Sequence, residues 1–124
     1  MEQEFQEVGI QILTPITLDE LIKKNGTIVC LFFSPKCPHC HAMKNEYIKL
    51  YKRLKSRDIV KEFDIDIVAI NGDIYDVWMI ENYNITGYPT IVIIDEYGNK
   101  CQIDGPYTVQ SILESMITKC KVRP

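Results

Sequence analysis

A seven-residue apolar run at positions 27–33 leads, after one short turn, into a pair of cysteines spaced as CxxC. A continuous apolar run of this length predicts a strand buried on both faces, which is typical of sheets covered by helices on both sides. Pro38 suits the first turn of a helix, where its missing N–H costs nothing. Apolar residues then recur at three- and four-residue spacing, as in an amphipathic helix: Met43, Tyr47, Leu50, Tyr51 and Leu54. The fold must therefore place Cys37 and Cys40 where a helix begins beyond the carboxyl end of a buried strand.

This position suits the chemistry of a dithiol. A helix start carries unpaired N–H groups and the positive end of the helix dipole, so it stabilises an anion there. The thiolate is the reactive form of cysteine, and we expect Cys37 to be that anion. Cys40 follows one helical turn later, where the two sulfur atoms can join and separate. The pattern predicts a redox centre that alternates between a dithiol and a disulfide.

The remaining periodicity predicts an α/β protein. We expect strands at 9–13, 65–70, 91–94 and 100–103, a hairpin turn at 96–99, and helices at 17–24, 74–82 and 108–120. Thr17 and Glu20 form a capping-box pattern at the start of the first of these helices. The resulting order, β-α-β-α-β-α-β-β-α, favours a central mixed sheet, mostly parallel with an antiparallel C-terminal hairpin, flanked by helices on both faces.

Size and charge limit the classes of protein. The chain has 124 residues, 46% of them hydrophobic and 25% charged, so we expect one domain at 1–124, with 1–9 as a flexible N-terminal extension. A net charge of −3 without a basic stripe argues against nucleic acid, and no apolar run is long enough to cross a membrane. The acidic start of the chain does not resemble a signal peptide, which favours a reducing, cytoplasmic location. A leader removed earlier would instead favour secretion or an oxidising compartment.

Three further cysteines lie outside the motif. Five is an odd number, so a complete disulfide framework is excluded. Cys30 lies within the apolar run and is expected to be an inert core residue. Cys101 and Cys120 are most simply free thiols.

Three features together resemble the thioredoxin fold over roughly residues 10–120. They are the strand–SPKCPHC–helix unit, the segment Gly87-Tyr88-Pro89-Thr90 before a strand, and the order of the elements. The segment FFSPKCPHCHAMKNEY is also similar to the active-site segment of protein disulfide isomerase domains, and its Pro-His dipeptide to that of DsbA-type oxidases. The resemblance implies that Pro89 is cis and faces the CxxC motif, and that Tyr88 and Pro89 bind an extended substrate segment.

The chain departs from the family pattern at four positions. Lys36 replaces the tryptophan before the first cysteine, and Leu31 replaces a buried acid that assists proton transfer. Ala69 aligns with the lysine that accompanies this acid, and Asn45 replaces a helix-kinking proline. These changes affect the expected rate of proton transfer and the choice of reductase, and they leave the dithiol intact.

The predicted function is thiol–disulfide exchange on protein disulfides and dithiols, without a cofactor. Cys37 attacks and Cys40 resolves the mixed disulfide, while Lys36, Pro38 and His39 tune the reactivity. A thiol reductase or glutathione could supply electrons, and a monomer is expected. The cytoplasmic expectation favours a reductase, whereas Pro38-His39 favours a disulfide-forming oxidase or an isomerase. The same residues are also compatible with a non-enzymatic adaptor or redox switch, and with a glutaredoxin-like enzyme.

Haem attachment and zinc binding would use the same residues as the dithiol. Cys37 to His41 reads CxxCH, a haem-attachment pattern, but the surrounding sequence offers strands rather than a helical pocket. Zinc would need four ligands, and the motif supplies three at most. The sequence therefore favours a site without metal.

Overall fold

The computed structural model describes residues 1–56 and 64–122, which form five strands and five helices. Their order along the chain is α1 (Glu2–Val8), β1 (Gln11–Ile12), α2 (Pro15–Ile22), β2 (Thr27–Phe33), α3 (Pro38–Ser56), β3 (Ile65–Asn71), α4 (Asp76–Tyr83), β4 (Thr90–Ile94), β5 (Lys100–Ile103) and α5 (Val109–Thr118). Within these residues, no helix combines the length and the apolar composition that crossing a membrane requires.

The strands form one mixed sheet in the order β1-β3-β2-β4-β5. Strand β3 runs parallel to both β1 and β2, whereas β4 runs antiparallel to both β2 and β5. The mixed α/β sheet with helices on both faces is confirmed. Its antiparallel part is larger than expected, because β4 also opposes β2.

The direction of β4 follows from the connection between β3 and β4. Gly72, just after β3, and Tyr88, just before β4, lie so close that a Cβ on Gly72 would overlap the Tyr88 ring. The chain therefore re-enters the sheet at the end where it left it. A strand–helix–strand pattern predicts parallel strands only if the helix alone carries the chain back to the start of the next strand. Here residues 84–89 follow α4 before β4 begins.

Two hydrophobic clusters cover the two faces of the sheet. One cluster contains buried residues of α1, α3 and α5, including Phe5, Tyr47 and Ile112. The other contains buried residues of α2 and α4, including Leu18 and Met79. The buried strands β2 and β4 thus have helices on both sides, as their continuous apolar sequences indicate.

The N-terminal segment differs from the expected flexible extension, because residues 2–8 form α1. Phe5 is fully buried and packs edge-on against Phe33 and Tyr47, with ring centroids 5.5 and 6.0 Å apart. Lys44 on α3 also contacts Glu4 at 3.0 Å. A single aromatic residue among charged ones gives no helical repeat, so only its tertiary contacts reveal that this segment packs on the core.

Helix α2 begins earlier than its capping pattern predicted. Thr14, rather than a residue near Thr17, is the N-cap, and its hydroxyl accepts the N–H of Thr17 at 3.2 Å. Pro15 occupies the first turn, where a fixed φ and a missing N–H are both acceptable.

The prediction that Cys101 and Cys120 are free thiols is wrong. They form a disulfide with a Cα–Cα distance of 5.7 Å, which joins β5 to the residues after α5. The two positions are 19 residues apart, and only the return of α5 along the sheet brings them together. Cys30 is buried as predicted, and burial raises the pKa of its thiol.

Candidate active site

Cys37 stands at the start of α3. Its N–H donates to the carbonyl oxygen of Ser34 at 3.0 Å, and its own carbonyl oxygen accepts the N–H groups of Cys40 and His41 at 3.1 and 3.3 Å. Pro38 is the first residue of α3, as the sequence predicted. The Cys37 thiol is partly exposed and donates to the carbonyl oxygen of Tyr88, 3.5 Å away. A sulfur atom in this position is open to solvent and close to the helix N-terminus.

Cys40 lies behind Cys37 and has no exposed surface. Burial raises the pKa of its thiol to about 12, against a smaller lowering by the N–H of Ser34, which donates to Sγ at 3.4 Å. The neighbouring Cys37 raises the same pKa further. The structure holds both cysteines as free thiols. A buried thiol such as that of Cys40 keeps its proton more firmly than the thiol of an exposed cysteine does.

The interior next to the dithiol is apolar at two of the four positions where this chain departs from the family pattern. Leu31 and Ala69 are direct partners in the parallel pairing of β2 and β3, and both are fully buried. The described carboxylate whose charge acts on Cys40 is that of Asp73, which is exposed just after β3. Leu31 and Ala69 therefore offer no ionisable group that could exchange a proton with Cys40.

The residues beside the two cysteines of the motif lie on the surface. Lys36, Pro38 and His39 are all exposed. The ring of His41 forms a hydrogen bond between Nε2 and the carbonyl oxygen of Pro35 at 2.6 Å, which links α3 to the preceding turn. His41 therefore has a structural contact, while His39 remains available to a bound molecule.

The segment before β4 completes the site. The Tyr88–Pro89 peptide bond is cis, which confirms the prediction for Pro89. Together with α3 and the segment after β5, this loop lines a groove of about 500 Å³. The groove includes His39, Met43, Glu46, Tyr88, Pro89 and Tyr107. The structure thus brings Cys37, His39, Tyr88 and Pro89 into one surface region.

The sequence analysis missed two contributors. Ser34 is buried and supplies the N–H that reaches Cys40, although its place before the motif could have indicated this. Tyr107 lines the groove, and its hydroxyl donates to the Ile103 carbonyl oxygen at 2.6 Å and accepts the Ile91 N–H at 3.3 Å. The Gly105–Pro106 dipeptide before it is a turn signal that the sequence analysis did not use.

Within residues 1–56 and 64–122, no three His, Cys, Asp or Glu side chains lie close enough together to hold a metal ion. Cys37 and Cys40 are instead arranged around the Tyr88–Pro89 loop.

A five-stranded mixed sheet, helices on both faces, a CxxC at a helix start and a facing cis-proline together define a thioredoxin-fold domain with a redox-type dithiol. The family model described as Thioredoxin matches residues 9–119, and the chain belongs to this family.

The similar curated proteins are protein disulfide-isomerases. The chain is 32% identical over 117 residues to the protein disulfide-isomerase A6 homolog of Drosophila melanogaster, covering 91% of this chain and 25% of that protein. It is 27% identical over 108 residues to human protein disulfide-isomerase A4, covering 87% of this chain and 16% of that protein. The chain thus spans a quarter or less of the length of these relatives.

Solved structures show the same architecture. The first thioredoxin domain of mouse protein disulfide-isomerase A4 matches with a TM-score of 0.75 and 25% identity, covering 94% of this chain and 78% of that one. Mitochondrial thioredoxin 3 from Saccharomyces cerevisiae matches with a TM-score of 0.66 and 23% identity, covering 86% of this chain and 92% of that one. The second match supports the fold alone.

Proposed function

We propose that this chain catalyses thiol–disulfide exchange on protein disulfides through Cys37 and Cys40. The observation that carries the proposal is the asymmetry of the pair: Cys37 is partly exposed at the start of α3, and Cys40 is buried behind it. Membership of the thioredoxin family and the similarity to protein disulfide-isomerases support the same reaction class.

In the reducing direction, the Cys37 thiolate attacks one sulfur of a substrate disulfide, and the other substrate sulfur leaves as a thiolate. Cys40 then loses its proton and attacks Sγ of Cys37, which releases the second substrate thiolate. The substrate gains two electrons, and the Cys37–Cys40 pair becomes a disulfide. The reverse sequence oxidises a substrate dithiol.

Tyr88 and Pro89 position the substrate in this scheme. A substrate segment beside Cys37 meets the Tyr88 backbone, because the Tyr88 carbonyl oxygen is the atom that Sγ of Cys37 faces. An extended segment can pair with this backbone as an added strand. Lys36, Pro38 and His39 are exposed around the start of α3 and are the residues that we propose tune the reactivity of Cys37.

The two cysteines have separable roles, which trapping can test. Cys40→Ser should accumulate a mixed disulfide between Cys37 and a disulfide-containing protein, because no thiol remains to resolve it. Cys37→Ser should form none and should lose exchange activity, while Cys30→Ala serves as a control at a buried cysteine outside the motif. If Cys40→Ser traps nothing, or if Cys37→Ser keeps wild-type activity, the proposed mechanism is wrong.

The direction of transfer depends on the compartment. The Cys101–Cys120 disulfide favours an oxidising compartment over the cytoplasmic location that the acidic N-terminus suggested, because disulfides persist mainly in oxidising surroundings. We infer an oxidising or isomerising role there, with a monomer as the working unit and glutathione disulfide as the oxidant that restores the Cys37–Cys40 disulfide. In a reducing role, a thiol reductase or glutathione would donate electrons to the pair. Equilibration with glutathione buffers tests the inference. A potential near the protein disulfide isomerase value of about −180 mV supports it, and one near the thioredoxin value of about −270 mV indicates a reductase.

A further inference from the structure

Three exposed apolar side chains lie in and just before α4: Val77 and Ile80 share one face of the helix, and Ile74 is in the turn that precedes it. Ile74, Val77 and Ile80 are spaced three residues apart and are 62%, 61% and 53% exposed. Met79 and Tyr83 on the same helix are buried against the sheet. We call Ile74, Val77 and Ile80 the α4 stripe. Neighbouring aliphatic side chains this exposed are typical of a surface that contacts another molecule.

The charged residues at the start of the α4 stripe are negative, and Lys100 of β5 lies at the other end of the helix, where it contacts Asn82 and Tyr83. Asp73, Asp76 and Glu81 are exposed beside it, and residues 73–83 contain no lysine, arginine or histidine. Two copies of this face would bring like charges together, which disfavours self-association. A partner with both apolar and basic side chains complements the stripe and its acidic border.

The α4 stripe begins beside the candidate active site. Gly72 lies against the ring of Tyr88, and Asp73 and Ile74 follow directly in the chain. Burial raises the pKa of Tyr88, and the charges of Asp73 and Asp76 raise it further, which places both carboxylates near this ring. A polypeptide that passes the Tyr88 backbone can therefore continue onto the start of α4 without leaving the surface.

We propose that the α4 stripe is a second part of the substrate site and selects disulfide substrates with apolar and basic residues near the reacting cysteine. The proposal rests on the exchange function proposed above and names the class of polypeptide that uses it. Apolar substrate side chains pack on Val77 and Ile80, and basic ones contact the carboxylates of Asp73 and Asp76.

Two synthetic peptides of equal length, each with one intramolecular disulfide, provide the test. In one peptide the disulfide is flanked by alternating apolar and basic residues, and in the other by alternating serine and glutamate. The reduced protein is mixed with each peptide in a single turnover. Each rate is divided by the rate of the same variant with 2-hydroxyethyl disulfide, which is too small to reach α4.

The variants compared are Val77→Ser combined with Ile80→Ser, and Ile117→Ser as the matched control. Ile117 is 63% exposed on α5, whose buried residues belong to the other face of the sheet.

The wild-type protein should reduce the apolar and basic peptide about tenfold faster than the acidic one, which corresponds to about 1.4 kcal/mol. The double variant should lose most of this ratio, Ile117→Ser should keep it, and added salt should reduce it. A wild-type ratio near one with 2-hydroxyethyl disulfide still reduced would overturn the α4 assignment alone. Failure to reduce 2-hydroxyethyl disulfide would overturn the exchange function and the substrate assignment with it. A concentration-dependent dimer that the double variant loses would overturn the assignment to substrate and give the stripe to a second copy of the chain.

Discussion

The Sγ atom of Cys37 lies 3.5 Å from the carbonyl oxygen of Tyr88, although 51 residues separate the two positions. This contact joins the two halves of the candidate site, because one residue begins α3 and the other precedes β4. The position of Tyr88 depends in turn on Gly72, which leaves room for its ring. The site is therefore sensitive to changes at positions outside the CxxC motif.

Gly72→Ala should weaken the use of protein substrates. A Cβ at this position would overlap the Tyr88 ring, so the loop that carries Tyr88 and Pro89 must shift. We expect the KM for a protein disulfide to rise about tenfold, equivalent to about 1.4 kcal/mol of lost binding. Gly87→Ala is the matched control, since a Cβ there meets no atom within 4 Å. Equal kinetics for the two variants would contradict this account of Tyr88.

The resolving step should accelerate with pH across the neutral range. Burial raises the pKa of Cys40 to about 12, and the attacking species is the thiolate, whose fraction increases as pH rises toward that value. The rate at which a preformed mixed disulfide on Cys37 is resolved should rise about tenfold per pH unit between about pH 6 and 9. Single-turnover measurements separate this step from the first attack. A plateau within that range would show that another group removes the proton from Cys40.

Tyr47→Phe should destabilise the fold. The buried Tyr47 hydroxyl donates to the carbonyl oxygens of Val29 and Val68 at 3.0 and 2.7 Å, and burial keeps its pKa well above the usual value. Removing this hydroxyl leaves the two strand carbonyl oxygens without its hydrogen bonds. We expect the free energy of unfolding, measured by urea titration, to fall by about 1–3 kcal/mol.

Tyr51→Phe provides the comparison for this prediction. Tyr51 is on the same helix, but among the described hydrogen bonds its hydroxyl accepts one only from the exposed Lys55, at 3.3 Å. We expect a change within about 0.5 kcal/mol, as for most surface substitutions. Similar losses in both variants would show that the two strand contacts contribute little.

Replacing both Cys101 and Cys120 by serine should lower stability without affecting exchange. The disulfide closes a loop between positions 19 residues apart, which stabilises a fold by about 3 kcal/mol in the chain-entropy model. Cys101 pairs with Ile93, and Ile93 pairs with Val29 near the middle of β2, so the disulfide does not contact the Cys37 end of that strand. Urea titration and peptide exchange rates measure the two effects. A large fall in exchange rate in the folded double variant would assign the disulfide a functional role.

Local sequence was sufficient for much of the fold. The apolar runs of β2 and β4 predict buried strands, and Pro38 with the spacing after it predicts α3. The prediction of a cis-proline at Pro89 is also confirmed. The strands and α3 depend on residues close together in the chain, where periodicity and turn chemistry carry direct information, whereas the cis-proline followed from the resemblance to the thioredoxin fold. The roles assigned to Lys36, Pro38 and His39 remain predictions.

Contacts between distant segments settled further features of the fold. The antiparallel direction of β4 depends on the meeting of Gly72 and Tyr88, and α1 packs on the core with Phe5 as its buried residue. Cys101 and Cys120 meet because α5 brings the chain back beside β5.

The sequence by itself thus determined the strand–CxxC–helix unit, which is encoded by periodicity and short motifs, and its resemblance to the thioredoxin fold indicated the class of protein. The tertiary structure decided which cysteine is exposed, what lies beside Cys40, and where Ile74, Val77 and Ile80 face solvent. Burial and neighbouring charge depend on the packing of segments far apart in the chain, and they control both thiol reactivity and the surface offered to a substrate.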